Sequence, residues 1–152
     1  MRRQLTAVLA TILLAAAVVA QPDKDLVGTW KMDASRSRFA GDRGAPASVV
    51  IQFERDRDLL RETLKVTSAN GETTRTVAYA IDGRELVNGA GDERITSKVL
   101  FNGTAITLWW TDEGGVFTRR IKISPDGKVM SIAVHDSNPD GEGDDLIVLQ
   151  RQ

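Results

Sequence analysis

Residues 94–136 read RITSKVLFNGTAITLWWTDEGGVFTRRIKISPDGKVMSIAVHD. Apolar and polar side chains alternate along this stretch, and turn-forming residues interrupt the alternation at 102–103, 112–115 and 124–127. Alternation with a period of two is typical of β-strands with one buried face, and Asn-Gly and Asp-Gly pairs tolerate the positive φ of tight hairpins. The stretch therefore predicts four consecutive antiparallel strands.

The register of these hairpins can be tested, because a slip of one residue moves every side chain to the other face. A two-residue turn at 102–103 places Val99 opposite Ile106, and closure through 124–127 places Ile121 opposite Met130. All three turns keep one face of the four strands apolar. The residues expected on this buried face are Ile95, Val99, Ile106, Leu108, Trp110, Phe117, Ile121, Met130, Ile132 and Val134.

The same alternation continues on both sides of this stretch. The predicted strands are 26–32, 48–54, 59–66, 73–81, 84–88, 94–101, 104–111, 116–123, 128–136 and 145–151. This succession of strands predicts an all-β fold. Because a long open sheet leaves unpaired edges, we expect an antiparallel up-and-down meander of about 8–10 strands that closes into a barrel. The alternative is a two-sheet sandwich, which needs longer crossovers than these short turns supply.

Residues 1–20 differ from the rest of the chain. Arg2 and Arg3 precede a run of sixteen residues from Leu5 to Ala20 that only two threonines interrupt. This pattern is typical of a secretory signal peptide, so we expect removal of 1–20 and export to the periplasm or the extracellular space. Residues 21–152 would then form a single barrel domain. An uncleaved anchor is the alternative, although the apolar run is short for a membrane span.

The composition argues against several classes of protein. The whole chain has 152 residues and a net charge of −1, which does not favour nucleic-acid binding. The sequence has no cysteine, one histidine, and no second apolar stretch long enough to cross a membrane. It contains no nucleophile motif, phosphate loop or metal-ligand spacing. We therefore expect a monomer that is not an enzyme and holds no metal or cofactor.

The first predicted strand contains Gly28-Thr29-Trp30, and the last contains Arg151. This arrangement resembles the calycin superfamily of lipocalins and fatty-acid-binding proteins, in which a Gly-x-Trp opens the first strand. A basic residue near the last strand packs over that tryptophan. The sequence is most similar to the small exported lipocalin-like domains of bacteria. The resemblance implies that Gly28, Trp30 and Arg151 close the barrel, with Arg119 as the other candidate for the cap.

Two features depart from the fatty-acid-binding proteins. The helical lid that these proteins carry after the first strand has no room in 33–47, which fits at most one short helical turn around 34–38. The Arg-x-Tyr that binds the fatty-acid carboxylate in that family corresponds to Ile147 and Leu149, and neither side chain can bind an anion. The barrel is therefore expected without that carboxylate site.

Several polar or amphipathic side chains fall on the predicted inner face. They are Glu62, Arg75, Tyr79, Ser97, Trp110 and Arg119. A buried unpaired charge costs several kcal/mol, so the charged members must pair with each other, with water or with a ligand. In one interpretation they orient the head group of a small hydrophobic or amphipathic ligand. In the other, an internal Glu62–Arg75 salt bridge, or charges at the rim, belong to a ligand-free barrel that acts through its surface and loops.

One acidic segment resembles the start of a calcium loop. It runs from Asp136 to Gly141 in the order D-x-N-x-D-G, and Asp144 takes the ninth position. The twelfth position is Ile147 instead of a bidentate glutamate, and the same residues are common turn formers. The segment is thus predicted as an acidic hairpin loop. The weak calcium candidate consists of Asp136, Asn138, Asp140 and Asp144.

Overall fold

The computed structural model describes residues 22–40, 44–138 and 141–152, so the predicted signal peptide lies outside the described residues. Ten β-strands and two short 3₁₀ turns, Pro22–Asp25 and Gly91–Glu93, form this part of the chain. The strands are β1 (Gly28–Met32), β2 (Ser48–Asp56), β3 (Leu59–Ser68), β4 (Gly71–Ala80), β5 (Leu86–Asn88), β6 (Ile95–Asn102), β7 (Ala105–Asp112), β8 (Gly115–Ile123), β9 (Val129–Asn138) and β10 (Gly141–Arg151). No described helix is long and apolar enough to span a membrane.

All ten strands belong to one antiparallel sheet in the order β4-β3-β2-β1-β10-β9-β8-β7-β6-β5. Neighbours in the sheet are neighbours in sequence except at β1 and β10, which pair with each other. The sheet curls until β4 contacts β5 and β6, which gives a nearly closed barrel. The structure confirms the predicted all-β meander and does not form two separate sheets.

The edge strands β4 and β5 are joined by side-chain hydrogen bonds instead of a backbone hydrogen-bond ladder. The Ala78 amide donates to Asn88 Oδ1 at 2.8 Å, and Asn88 Nδ2 donates to the Ala78 carbonyl at 3.2 Å. The Ser97 hydroxyl donates to the same carbonyl at 2.6 Å. Asn88 thus gives the edge of β4 the pair of hydrogen bonds that a neighbouring strand would supply. We refer to Ala78, Asn88 and Ser97 as the side-chain clasp.

The predicted buried face of β6–β9 is confirmed. Seven of its residues are buried in the core: Val99, Ile106, Leu108, Trp110, Ile121, Met130 and Ile132. The other three, Ile95, Phe117 and Val134, are half-buried. Trp110 faces inward and Trp109 outward, so the alternation assigns both tryptophans to the correct faces.

Two of the predicted pairings are wrong by two residues. Val99 lies opposite Leu108, and not Ile106, because the turn residues are Gly103 and Thr104. Gly103 has a φ of 60°, which suits the first central position of a type II′ turn. Ile121 lies opposite Ile132, and not Met130, because Ser124 bonds to Val129 and lengthens the turn. The β7–β8 pairing agrees with the prediction.

The first and last strands, β1 and β10, meet at Trp30. Its ring is fully buried, and its Nε1 donates to the Leu26 carbonyl at 2.8 Å. The Arg151 guanidinium carbon lies 4.3 Å from the ring centroid, as the resemblance implies. Gly28 has a φ of 135°, and a Cβ there would lie 2.9 Å from Arg151 Nη1, so this position favours glycine. Arg119 does not cap Trp30, because it lies over Trp110.

The segment after β1 contains no lid helix within 33–40. The Ser37 amide donates to the Asp33 carbonyl at 3.1 Å, which closes a single turn. Arg38 then pairs with Leu146 of β10 through an isolated bridge. The chain is thereby directed across one side of the barrel.

Candidate functional site

An apolar cavity of about 370 Å³, partly open to solvent, lies inside the barrel. Phe39 and Pro46, from the segment between β1 and β2, contribute to its wall. Most of the remaining wall consists of inward aliphatic side chains, among them Ile51, Leu64, Val66, Ile132, Val134 and Ile147. Cavities of this size and character are typical of sites for small molecules.

A buried ion pair lies beside the apolar wall. Arg119, which lines the cavity, is 4% exposed, and Glu62 is 1% exposed. Arg119 Nη1 and Nη2 donate to the two carboxylate oxygens of Glu62, each at 2.5 Å. The Tyr79 hydroxyl donates to Glu62 Oε2 at 2.9 Å, and Arg119 Nη2 donates to the Tyr79 oxygen at 3.2 Å. Both carboxylate oxygens are therefore occupied within the protein.

The electrostatics of this cluster follow from burial and from the pairing. Burial raises the pKa of Tyr79 well above its ordinary value, and the negative charge of Glu62 raises it further. For Arg119, burial opposes the charged form, but the Glu62 carboxylate outweighs it and raises the pKa. The guanidinium and the carboxylate thus form an ion pair with no net charge, and Tyr79 remains a neutral donor.

Two buried N–H groups of the cavity wall have no hydrogen-bond partner among the described residues. They are Trp110 Nε1 and Arg119 Nε. The Trp110 ring stacks on Phe117 with centroids 5.0 Å apart, and the Arg119 guanidinium carbon lies 4.4 Å from the Trp110 centroid. These contacts hold both side chains in place. Both nitrogens are buried beneath neighbouring atoms, so a ligand in the cavity does not reach these donors.

The residues predicted to bind a ligand separate into three groups. Trp110 and Arg119 line the cavity. Glu62 and Tyr79 bond to Arg119 and hold its guanidinium in position. Ser97 belongs to the side-chain clasp, where its hydroxyl bonds to backbone.

The prediction for Arg75 requires correction. Arg75 lies opposite Leu64 as expected, but its side chain is 44% exposed and does not pair with Glu62. Its Nη2 donates instead to Asp112 Oδ2 at 3.3 Å, beside a polar cleft of about 600 Å³. The first six residues of β4, which include Arg75, are exposed. Alternation therefore gives the correct pairing partner for Arg75 but does not predict that its side chain is exposed.

Sequence reasoning missed Asn88 and the cavity residues of the segment between β1 and β2, which are Phe39, Gly44 and Pro46. Asn88 carries no signal that separates it from an ordinary strand-end asparagine. Alternation gives the face of a strand residue, but it does not show where an irregular connection crosses the barrel.

The described residues of the calcium candidate lie on two paired strands, β9 and β10. The β9–β10 ladder pairs Asp136 with Gly143 and Asn138 with Gly141, so the backbone is extended where a calcium loop would curl around its ion. Asp144 is exposed and contacts His135 at 2.9 Å, while Asp140 lies outside the described residues. Within the described ranges, no three acidic, histidine or cysteine side chains are grouped to hold a metal.

Comparison with solved structures identifies barrels of the same fold. The REP1-NXSQ fatty acid transporter matches with a TM-score of 0.60 and 14% identity, over 85% of this chain and 97% of that chain. A heat soluble (SAHS) protein from Ramazzottius varieornatus matches with a TM-score of 0.60 and 9% identity, over 84% and 96%. The Schistosoma mansoni fatty acid binding protein in complex with arachidonic acid matches with a TM-score of 0.51 and 12% identity, over 86% and 98%. No family model and no curated protein matches the sequence.

Proposed function

Because the chain has the calycin fold, we propose that it is an exported barrel that binds a small hydrophobic or amphipathic molecule. The observation that carries this proposal is the cavity of about 370 Å³ with its largely apolar wall. Arg119 and Trp110 belong to the same wall, where their side chains would contact the ligand. The fatty acid transporter and the arachidonic-acid complex among the similar structures support an apolar ligand.

Filling the cavity tests this proposal. Val134 lines the cavity, whereas Val116 on the adjacent strand is 43% exposed. We expect Val134→Phe to weaken binding of the neutral dye Nile red about tenfold or more, a loss of about 1.4 kcal/mol or more. Val116→Phe is the matched control and should leave the affinity unchanged. Equal effects of both variants would contradict binding in this cavity.

Native mass spectrometry of the protein purified without denaturation gives a second measurement. We expect a co-purified apolar molecule that is lost from Val134→Phe and retained in Val116→Phe. If neither this measurement nor the dye detects binding, the alternative is favoured. The chain would then be a ligand-free barrel that acts through its surface and loops, for example around Trp109.

The proposed export rests on Arg2, Arg3 and the apolar run that follows them. We propose that the mature chain begins at or within about three residues of Gln21 and is a monomer without enzymatic activity or cofactor. N-terminal sequencing of the protein from its own cells tests the cleavage. A membrane-bound product that retains Met1 would contradict it.

A further inference from the structure

We propose that the cavity selects uncharged apolar molecules, such as esters, over carboxylates. This inference rests on the proposed function, since it concerns the ligand of the same cavity. Two observations carry it: the charges at the cavity wall and the absence of a free donor on Arg119, the cationic side chain of the described wall.

The charge of Arg119 is already balanced by Glu62. Two guanidinium nitrogens contact the two carboxylate oxygens at 2.5 Å, and Tyr79 also donates to this carboxylate. A ligand carboxylate beside this cluster would leave one negative charge in excess. Because a buried charge without a partner is unfavourable in an apolar interior, the pair selects against anions.

The remaining ionisable group of the described cavity lining strengthens this selection. Asp145 lines the cavity, and its Oδ1 accepts a hydrogen bond from the Ala40 amide at 2.7 Å. Its carboxyl group adds an acidic side chain, and no cation, to the cavity wall. Within the described residues that form the wall, Arg119 is the single cationic side chain.

The N–H groups without partners do not help a carboxylate to bind. Arg119 Nε and Trp110 Nε1 have no hydrogen-bond partner among the described residues, but both nitrogens are buried beneath neighbouring atoms. A ligand oxygen therefore cannot come within hydrogen-bond distance of either one. The remaining guanidinium nitrogens of Arg119 are already bonded to Glu62, so a carboxylate finds no free donor on this side chain.

A matched pair of ligands tests the inference. Decanoate and methyl decanoate share the acyl chain and differ in charge, and each can be titrated against bound Nile red at pH 7. We expect the protein to bind the ester about tenfold or more tightly than the carboxylate. Glu62→Gln removes the balancing charge and should reverse the preference. Glu72→Gln, which removes an exposed carboxylate paired with Lys65, is the control and should not change it.

A pH titration of the unmodified protein gives the same test if Glu62→Gln fails to fold. The affinity for decanoate should rise toward that of the ester as the pH falls from 7 to 4, because the ligand carboxyl becomes neutral. Tighter binding of decanoate at pH 7, or an affinity that does not rise on acidification, would overturn the inference while the proposed function stands. Failure of Nile red and both ligands to bind would overturn the proposed function itself.

Discussion

Glu62 and Arg119 are buried as a pair, so the contribution of each to stability depends on the other. Removing Arg119 alone leaves a buried carboxylate, and we expect Arg119→Met to lower the free energy of unfolding by about 3–5 kcal/mol. Replacing both charges with methionine removes the ion pair, so the double variant should be no less stable than Arg119→Met. Urea unfolding followed by tryptophan fluorescence measures both values. Additive losses from the single variants would contradict the coupling.

Tyr79 is the single tyrosine of the sequence, so its ionisation can be followed directly by absorbance. Burial, and secondarily the charge of Glu62, raise its pKa in the folded state. The native state therefore holds the phenolic proton more tightly than the unfolded state does, and stability decreases as the pH rises above about 10. We expect phenolate to appear only together with unfolding, and Tyr79→Phe to reduce the alkaline loss of stability. A phenolate signal near pH 10 in the folded protein would contradict this.

At the level of the strands, the side-chain clasp replaces a ladder between β4 and β5. Asn88→Ala removes both bonds to Ala78, and we expect a loss of about 1–3 kcal/mol, because the half-buried Ala78 amide would lack a partner while its carbonyl keeps the bond from Ser97. The Ala78 amide should also exchange with solvent faster. Asn102→Ala, at the exposed end of β6, is the control and should change neither value. Unchanged exchange at Ala78 in Asn88→Ala would show that the clasp does not protect this edge.

The strands also show which features could be predicted from the sequence. Alternation predicts the face of Val99 and of Ile121 correctly, because one buried face requires it. It cannot distinguish pairings that differ by two residues, since such a shift leaves every side chain on its face. The pairing of Val99 with Leu108 depends instead on the conformation of Gly103, a property of the turn.

At the level of the molecule, the candidate site depends on the curvature of the sheet. Arg119 and Glu62 are 57 residues apart in the sequence and lie on β8 and β3, which are not neighbours in the sheet. Alternation predicts that both point inward, but the partner of each depends on how the closed barrel places opposite strands. The sequence therefore suggests Arg75 as the partner of Glu62, whereas the closed barrel brings Arg119 to it.

The pairing of β1 with β10 has a consequence for the order of folding. Arg151 contacts the Val27 carbonyl 124 residues away in the sequence, and contacts over such separations form slowly. During synthesis, β1 can pair with β2 early. The edge of β1 that pairs with β10, and the face of Trp30 that Arg151 covers, stay unpaired until β10 has left the ribosome. We expect barrel closure to be a late event, so that a partly synthesised chain stays open and compatible with passage through a narrow channel.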